Sequence, residues 1–193
     1  MGTGKTTFIN ALLAHKSDEK WAILVNEFGK IGIDGKLFTA NDVAIKEVSG
    51  GCICCTSQLP LQIALVRLLA DHRPARLIIE PTGLAHPNEL IAKLSESHYQ
   101  SSLDLQAVIC VLNAAQWQQE RYRNHDGYQV HAKYADIIAI NRTDMLSGDE
   151  LAHLYEWIHT INPTATIVID DGKTSHIAHL TTKTQRYPQP KPL

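Results

Sequence analysis

Six residues at the start of the chain, Gly-Thr-Gly-Lys-Thr-Thr (2–7), have the types and order that hold a polyphosphate. In the pattern Gly-x-x-x-x-Gly-Lys-[Ser/Thr], glycines let backbone N–H groups approach the phosphates. The lysine reaches the outer phosphates, and the hydroxyl takes Mg²⁺. Gly4, Lys5 and Thr6 fill the last three places, and the first glycine of the pattern would precede Met1. A glycine-rich turn of no function would share these letters. Here, however, the amphipathic segment "KTTFINALLAHK" follows at once, so a helix N-terminus can face the anion.

Three further clusters carry chemistry. In "RLIIEPTGL" an apolar strand ends at Glu80, where a carboxylate can hold an Mg²⁺-bound water and the N–H of Gly83 can meet a γ-phosphate. The plain alternative is a strand end followed by a turn. In "AINRTD", Asn141 and Asp144 fit an Asn-Lys-x-Asp guanine reader. The carboxylate accepts from the guanine N1–H and 2-amino groups, which adenine cannot match, while the amide bonds the base and props the loop. Arg142 stands where that pattern has lysine, and its guanidinium can lie on a purine face. The plain alternative is a polar strand-to-helix turn. In "GGCICCT", Cys52 and Cys54 would project to one side if the segment is extended, and a turn could bring Cys55 round. Three thiolates suit Zn²⁺ or another soft-accepting metal and leave a fourth position open, to which Glu27 could bring an oxygen. Buried thiols acting as small apolar residues are the alternative.

Elements must bring these residues together. Phe8, Ile9, Leu12 and Leu13 make one helix face, and "WAILVN" (21–26) reads as a strand covered on both sides. After a glycine-rich stretch come the strand "VAIKEV", the helix "SQLPLQIALVRLLADH" and the strand ending at Glu80. A helix near Pro87, the strand "LQAVICVLN" with Cys110 in the core, and two helical pieces broken near Asp126-Gly127 follow. The strand "DIIAIN", a helix capped by Ser147 and the strand "TATIVID" complete the order. Strand–helix alternation implies an α/β fold with a parallel sheet and helices on both faces. Residues 1–182 read as one domain and 183–193 as a polar, Pro-rich tail or linker.

With 193 residues, 20% charged and a net charge of −2, the chain has no basic patch of the kind nucleic acids or anionic membranes attract. Its apolar runs are too short to span a bilayer, and the N-terminus does not read as a secretory signal, so the expected compartment is the cytoplasm. Three of the four cysteines cluster, which favours metal over a disulfide framework. The histidines read as surface residues, with His86 the nearest to the expected site.

The set "GTGKTT", "NEFG" with "GIDG" after it, "GGCICC", "IIEPTGLAHP" and "NRTD" resembles the CobW-like family of metal-associated P-loop GTPases. The segment "EPTGLAHP" resembles its branch of small zinc-binding GTPases. The resemblance implies a P-loop NTPase three-layer sandwich around a mostly parallel central sheet, with the first strand lying upstream of Met1. It implies GTP hydrolysis with Mg²⁺, and zinc held by Cys52, Cys54, Cys55 and Glu27 for a client metalloprotein. Gly2, Gly4, Lys5, Thr6 and Thr7 would contact phosphate or Mg²⁺, Glu80 and Gly83 would face Mg²⁺ and the γ-phosphate, and Asn141 and Asp144 would read guanine. Departures are Lys30 where the family has an acidic residue, Arg142, and the lack of the family's smaller C-terminal domain. Without the upstream strand, the chain is expected to fold less stably and to bind GTP more weakly than its parent type. A metal-binding module with little turnover, or a P-loop kinase using ATP, are the competing expectations.

Overall fold

The computed structural model describes residues 2–25, 43–47, 59–81 and 87–172. The expected site residues Glu27, Cys52, Cys54, Cys55 and Gly83, and the candidate His86, lie outside them. The chain divides into two compact units, Leu12–Ala85 and Met1–Ala11 with His86–Leu193. The first helix, α1 (Lys5–Ala14), runs from one into the other. It buries Phe8, Ile9, Leu12 and Leu13, the face its spacing predicts.

In the unit Leu12–Ala85, strand β1 (Trp21–Val25) is wholly apolar and wholly buried. It sits between β2 (Val43–Glu47) and β3 (Arg76–Glu80), and both pairings are parallel. A central parallel strand has neighbours on both edges and cover on both faces, which is why no polar residue interrupts it. Helix α2 (Leu59–His72) packs on β1 and β2 through Leu61, Ala64, Leu65 and Leu68. Register alignment puts Val25 opposite both Glu47 and Glu80, so the three strands end on one edge.

The other unit holds α3 (Pro87–Leu94), β4 (Ile109–Asn113), α4 (Ala114–Trp117), α5 (Glu120–Arg123), α6 (Asp126–Lys133), β5 (Ile137–Asn141), α7 (Gly148–Ile161) and β6 (Thr166–Ile169). Its sheet has the order β4-β5-β6, again all parallel. The parallel α/β architecture matches the sequence expectation, with the described strands hydrogen-bonded as two three-stranded sheets. Leu112, Ala114, Trp117, Ile138, Ile140, Leu154 and Ile158 form its core, against which Cys110 packs.

Two boundaries differ from the expected ones. The strand expected from Leu105 begins at Ile109, because Asp136 engages the residue before it. Its side chain accepts from Val108 N at 2.9 Å, while its own N–H donates to Val108 O at 2.8 Å. The expected break near Asp126-Gly127 is present, two residues earlier at Asn124-His125, and Asp126-Gly127 opens α6. His125 is the N-cap, its Nδ1 accepting from Gly127 N at 3.1 Å, and an aspartate in a first turn favours the helix dipole. The expected cap at Ser147 is present as a full capping box with Glu150.

Candidate functional site

Parallel pairing gathers strand C-termini on one edge, where ligands of open α/β sheets bind. In the β4-β5-β6 sheet that edge carries Asn113 and Asn141, which are register partners. Register partners on neighbouring strands project from the same face, so the two amides stand side by side. Both reach the N-terminal loop. Asn141 Nδ2 donates to Thr3 O at 2.8 Å, and Asn113 Nδ2 donates to Gly2 O at 3.4 Å.

These two bonds orient the loop. In a trans peptide the C=O and the following N–H point in opposite directions. Drawing the carbonyls of Gly2 and Thr3 onto the sheet edge therefore turns the N–H groups of Thr3 and Gly4 away from it. Gly2 and Gly4 have φ of +64° and +95°, a backbone that L side chains rarely adopt. A Cβ on Gly4 would also overlap the amide of Asn141. Successive outward N–H groups make an anion-binding concavity. The loop then enters α1, whose first intrahelical bond, Phe8 N to Gly4 O, measures 2.9 Å. The first turn of α1 has no acidic residue to offset the positive end of the helix dipole. Lys5 and Thr6 are half-buried there and Thr7 is exposed.

Asn141 is oriented by its partner: with the amide reversed, its oxygen would face the carbonyl of Thr3. Its Oδ1 is buried with no hydrogen-bond partner among the described residues. Beyond it, Arg142 takes the left-handed conformation, φ +54° and ψ +34°, and caps the 3-10 turn Thr143–Met145. This bend carries Asp144 onto an exposed turn. Behind the loop, burial pushes the Cys110 thiol up to about 12, and the positive charge of Lys5 partly offsets that rise. The thiol is neutral at physiological pH and serves as packing.

The structure thus brings together Gly2, Gly4, Lys5, Thr6 and Asn141, with Asp144 on the turn that follows. Glu80 ends β3 in the other unit, where it is buried at 9% exposure. Asn113 is the residue the sequence reading did not single out. Its signal was present: an asparagine closing an apolar strand just before a helix is an N-cap pattern. Its Oδ1 indeed accepts from Gln116 N at 3.2 Å at the start of α4. Among the described residues there is no group of three metal-ligating side chains, and no helix long and apolar enough to cross a membrane. A cleft of about 440 Å³ lined by Trp117, Arg123, His153 and Trp157 contains none of the expected site residues.

The family profile described as CobW/HypB/UreG, nucleotide-binding domain, matches residues 1–169. The zinc chaperone YeiR of Escherichia coli (strain K12) is 42% identical over 158 residues, covering 81% of this chain and 48% of that protein. The zinc chaperone YjiA of the same organism is 31% identical over 173 residues, covering 86% of this chain and 54% of that protein. The chain thus spans about half the length of these curated relatives. The crystal structure of Zn(II)-bound YjiA GTPase from E. coli matches in fold, with a TM-score of 0.69 at 22% identity, covering 100% of this chain and 64% of that one. By sequence profile and by relatives, the chain belongs to the CobW/HypB/UreG family of nucleotide-binding domains.

Proposed function

We propose that the chain binds GTP at the Gly2–Thr7 loop and hydrolyses it. In this reading the nucleotide state is coupled to zinc held by Cys52, Cys54 and Cys55, with Glu27 as an oxygen donor, for delivery to a client metalloprotein. The observation that carries it is the pair of asparagine bonds to Gly2 O and Thr3 O, which turns the intervening N–H groups outward beside a helix N-terminus. Two relatives named as zinc chaperones support the metal half.

The division of labour follows from donor chemistry. Outward N–H groups and Lys5 bind and orient the phosphates, so catalysis rests on positioning and charge. The exposed carboxylate of Asp144 accepts from guanine, and Asn141 joins that turn to the loop. Thr6 and Glu80 are each a hard oxygen donor of the kind Mg²⁺ takes. Mg²⁺ held by donors of this kind would neutralise charge on the phosphate oxygens. Zinc is cargo: three thiolates hold it firmly yet leave one coordination position for a recipient's ligand.

Three measurements test this reading. Asp144→Asn should shift preference from guanine toward xanthine nucleotides, because the amide offers a donor where guanine needs an acceptor. An unchanged preference would remove Asp144 from base recognition. Zinc affinity should differ between the GDP form and a form bound to a non-hydrolysable GTP analogue, and equal affinities would sink the coupling. Phosphate release stimulated by GTP distinguishes an enzyme from a metal-binding module without turnover.

A further inference from the structure

The bond from Asn113 to the loop has a consequence separate from base reading. Asn113 is 4% exposed and uses three of its polar atoms. Its Nδ2 donates to Gly2 O at 3.4 Å, its Oδ1 accepts from Gln116 N at 3.2 Å, and its backbone O accepts from Tyr128 OH at 3.4 Å. The side chain is therefore held at one end by the first turn of α4 and offers its amide to the loop at the other. Asn141 holds the next carbonyl, Thr3 O, from the neighbouring strand. One bond leaves a glycine-rich loop free to pivot about it. Two bonds to consecutive carbonyls, from residues fixed side by side by strand register, remove that pivot. Gly2, with φ +64° and open space around its Cβ position, has no packing of its own to hold it.

We propose that Asn113 is a positioning residue for the phosphate loop, forming with Asn141 a two-amide clamp that aims the N–H groups of Thr3 and Gly4 at the nucleotide phosphates. Asn113 acts through the loop: it sets affinity for the phosphate-bearing part of the ligand and has no part in reading the base. Asn141 touches both loop and base-reading turn, so the division of tasks falls between the two asparagines. This inference rests on the nucleotide-binding reading above.

The discriminating variant is Asn113→Ser. Serine caps a helix as well as asparagine does, carries no charge to repel phosphate, and is too short to reach Gly2 O. The apo melting temperature should stay within about 2 °C of the parent chain, since the cap is retained. Affinity for GTP and GDP, read with a fluorescent analogue, should fall about three- to tenfold, the effect of one backbone hydrogen bond. The ratio of GTP to XTP affinity should not change, whereas Asp144→Asn changes it. Asn113→Ala, which loses cap and donor, should show the same affinity loss with an added drop in melting temperature. Unchanged affinity in Asn113→Ser would overturn the clamp, as would a loss tracking a fall in melting temperature, or a shift in base preference. A parent chain that binds neither GTP nor GDP would overturn the nucleotide reading and this inference with it.

Discussion

At the scale of single residues, the site is built from backbone that only particular side chains permit. Gly4 combines a φ of +95° with a Cβ position occupied by the Asn141 amide. Gly4→Ala therefore meets two costs at once. The left-handed backbone disfavours alanine by roughly 1–2 kcal/mol, and the methyl must displace the amide that holds Thr3 O. The expected outcome is a lower melting temperature together with more than a tenfold loss of GTP affinity. A variant that binds GTP like the parent would mean that the loop reorders without this contact. Arg142 shows the converse choice. It holds φ +54° without being glycine, a left-handed backbone that side chains other than glycine rarely adopt. Gly4, Lys5, Thr6, Asn141 and Asp144 stand out in the sequence because the phosphate and guanine chemistry proposed for them dictates residue type and spacing. Asn113 does not, because its contact to Gly2 depends on strand register across 111 residues, which no local pattern encodes.

At the scale of elements, the long periodic segments were legible and the short ones were not. α2 and α7 carry apolar residues at helical spacing over 14 residues each, and β1 is an unbroken apolar run. The segment from Ala114 to Lys133 instead folds as three short helices, α4 to α6, two of them only 4 residues long, whose ends are set by side-chain caps and turns rather than by periodicity. The start of β4 was misjudged because a tertiary acceptor, Asp136, engages Val108. Caps that are local in sequence are readable, and Ser147 is the case in point. Its hydroxyl accepts from Glu150 N at 3.3 Å, and the Glu150 carboxylate accepts from Ser147 N at 2.8 Å. These bonds, with one from Gln118, hold the Glu150 carboxyl below its ordinary range. Ser147→Ala should destabilise the chain by about 1 kcal/mol and lower the melting temperature by about 2–4 °C. Ser147→Asp, which keeps an acceptor at the cap, should not. Equal losses in both variants would place the contribution in packing of the turn instead of the cap.

At the scale of the whole molecule, the buried groups behind the loop give stability a pH dependence of known sign. Burial pushes the Cys110 thiol from 9.0 to about 12, with Lys5 partly opposing. Burial also raises the Tyr128 hydroxyl, and Cys110 adds to that rise. Both groups are neutral in the folded chain under conditions where the unfolded chain has begun to release their protons. The unfolded state then binds fewer protons, and stability falls as pH rises. For Cys110 the stabilising contribution is complete below pH 9 and is lost progressively as pH climbs toward 12, with a slope of at most about 1.4 kcal/mol per pH unit. Lysines and the other thiols titrate in the same window, so the informative quantity is a difference between variants. Urea unfolding, in reducing buffer with a chelator, should show Cys110→Ala starting below the parent at pH 7.5, because a partly buried side chain packed on the core has been trimmed. The gap should then narrow steadily from pH 9 to pH 10.5, since the variant has no thiol to ionise on unfolding. Adding Tyr128→Phe should flatten the alkaline side further, as the second buried proton is removed. A gap that stays constant across that range would mean that the thiol releases its proton at the same pH folded and unfolded. Cys110 would then be reached by water or held by charge in the folded state, and its packing against the core of the β4-β5-β6 sheet would not shield its proton.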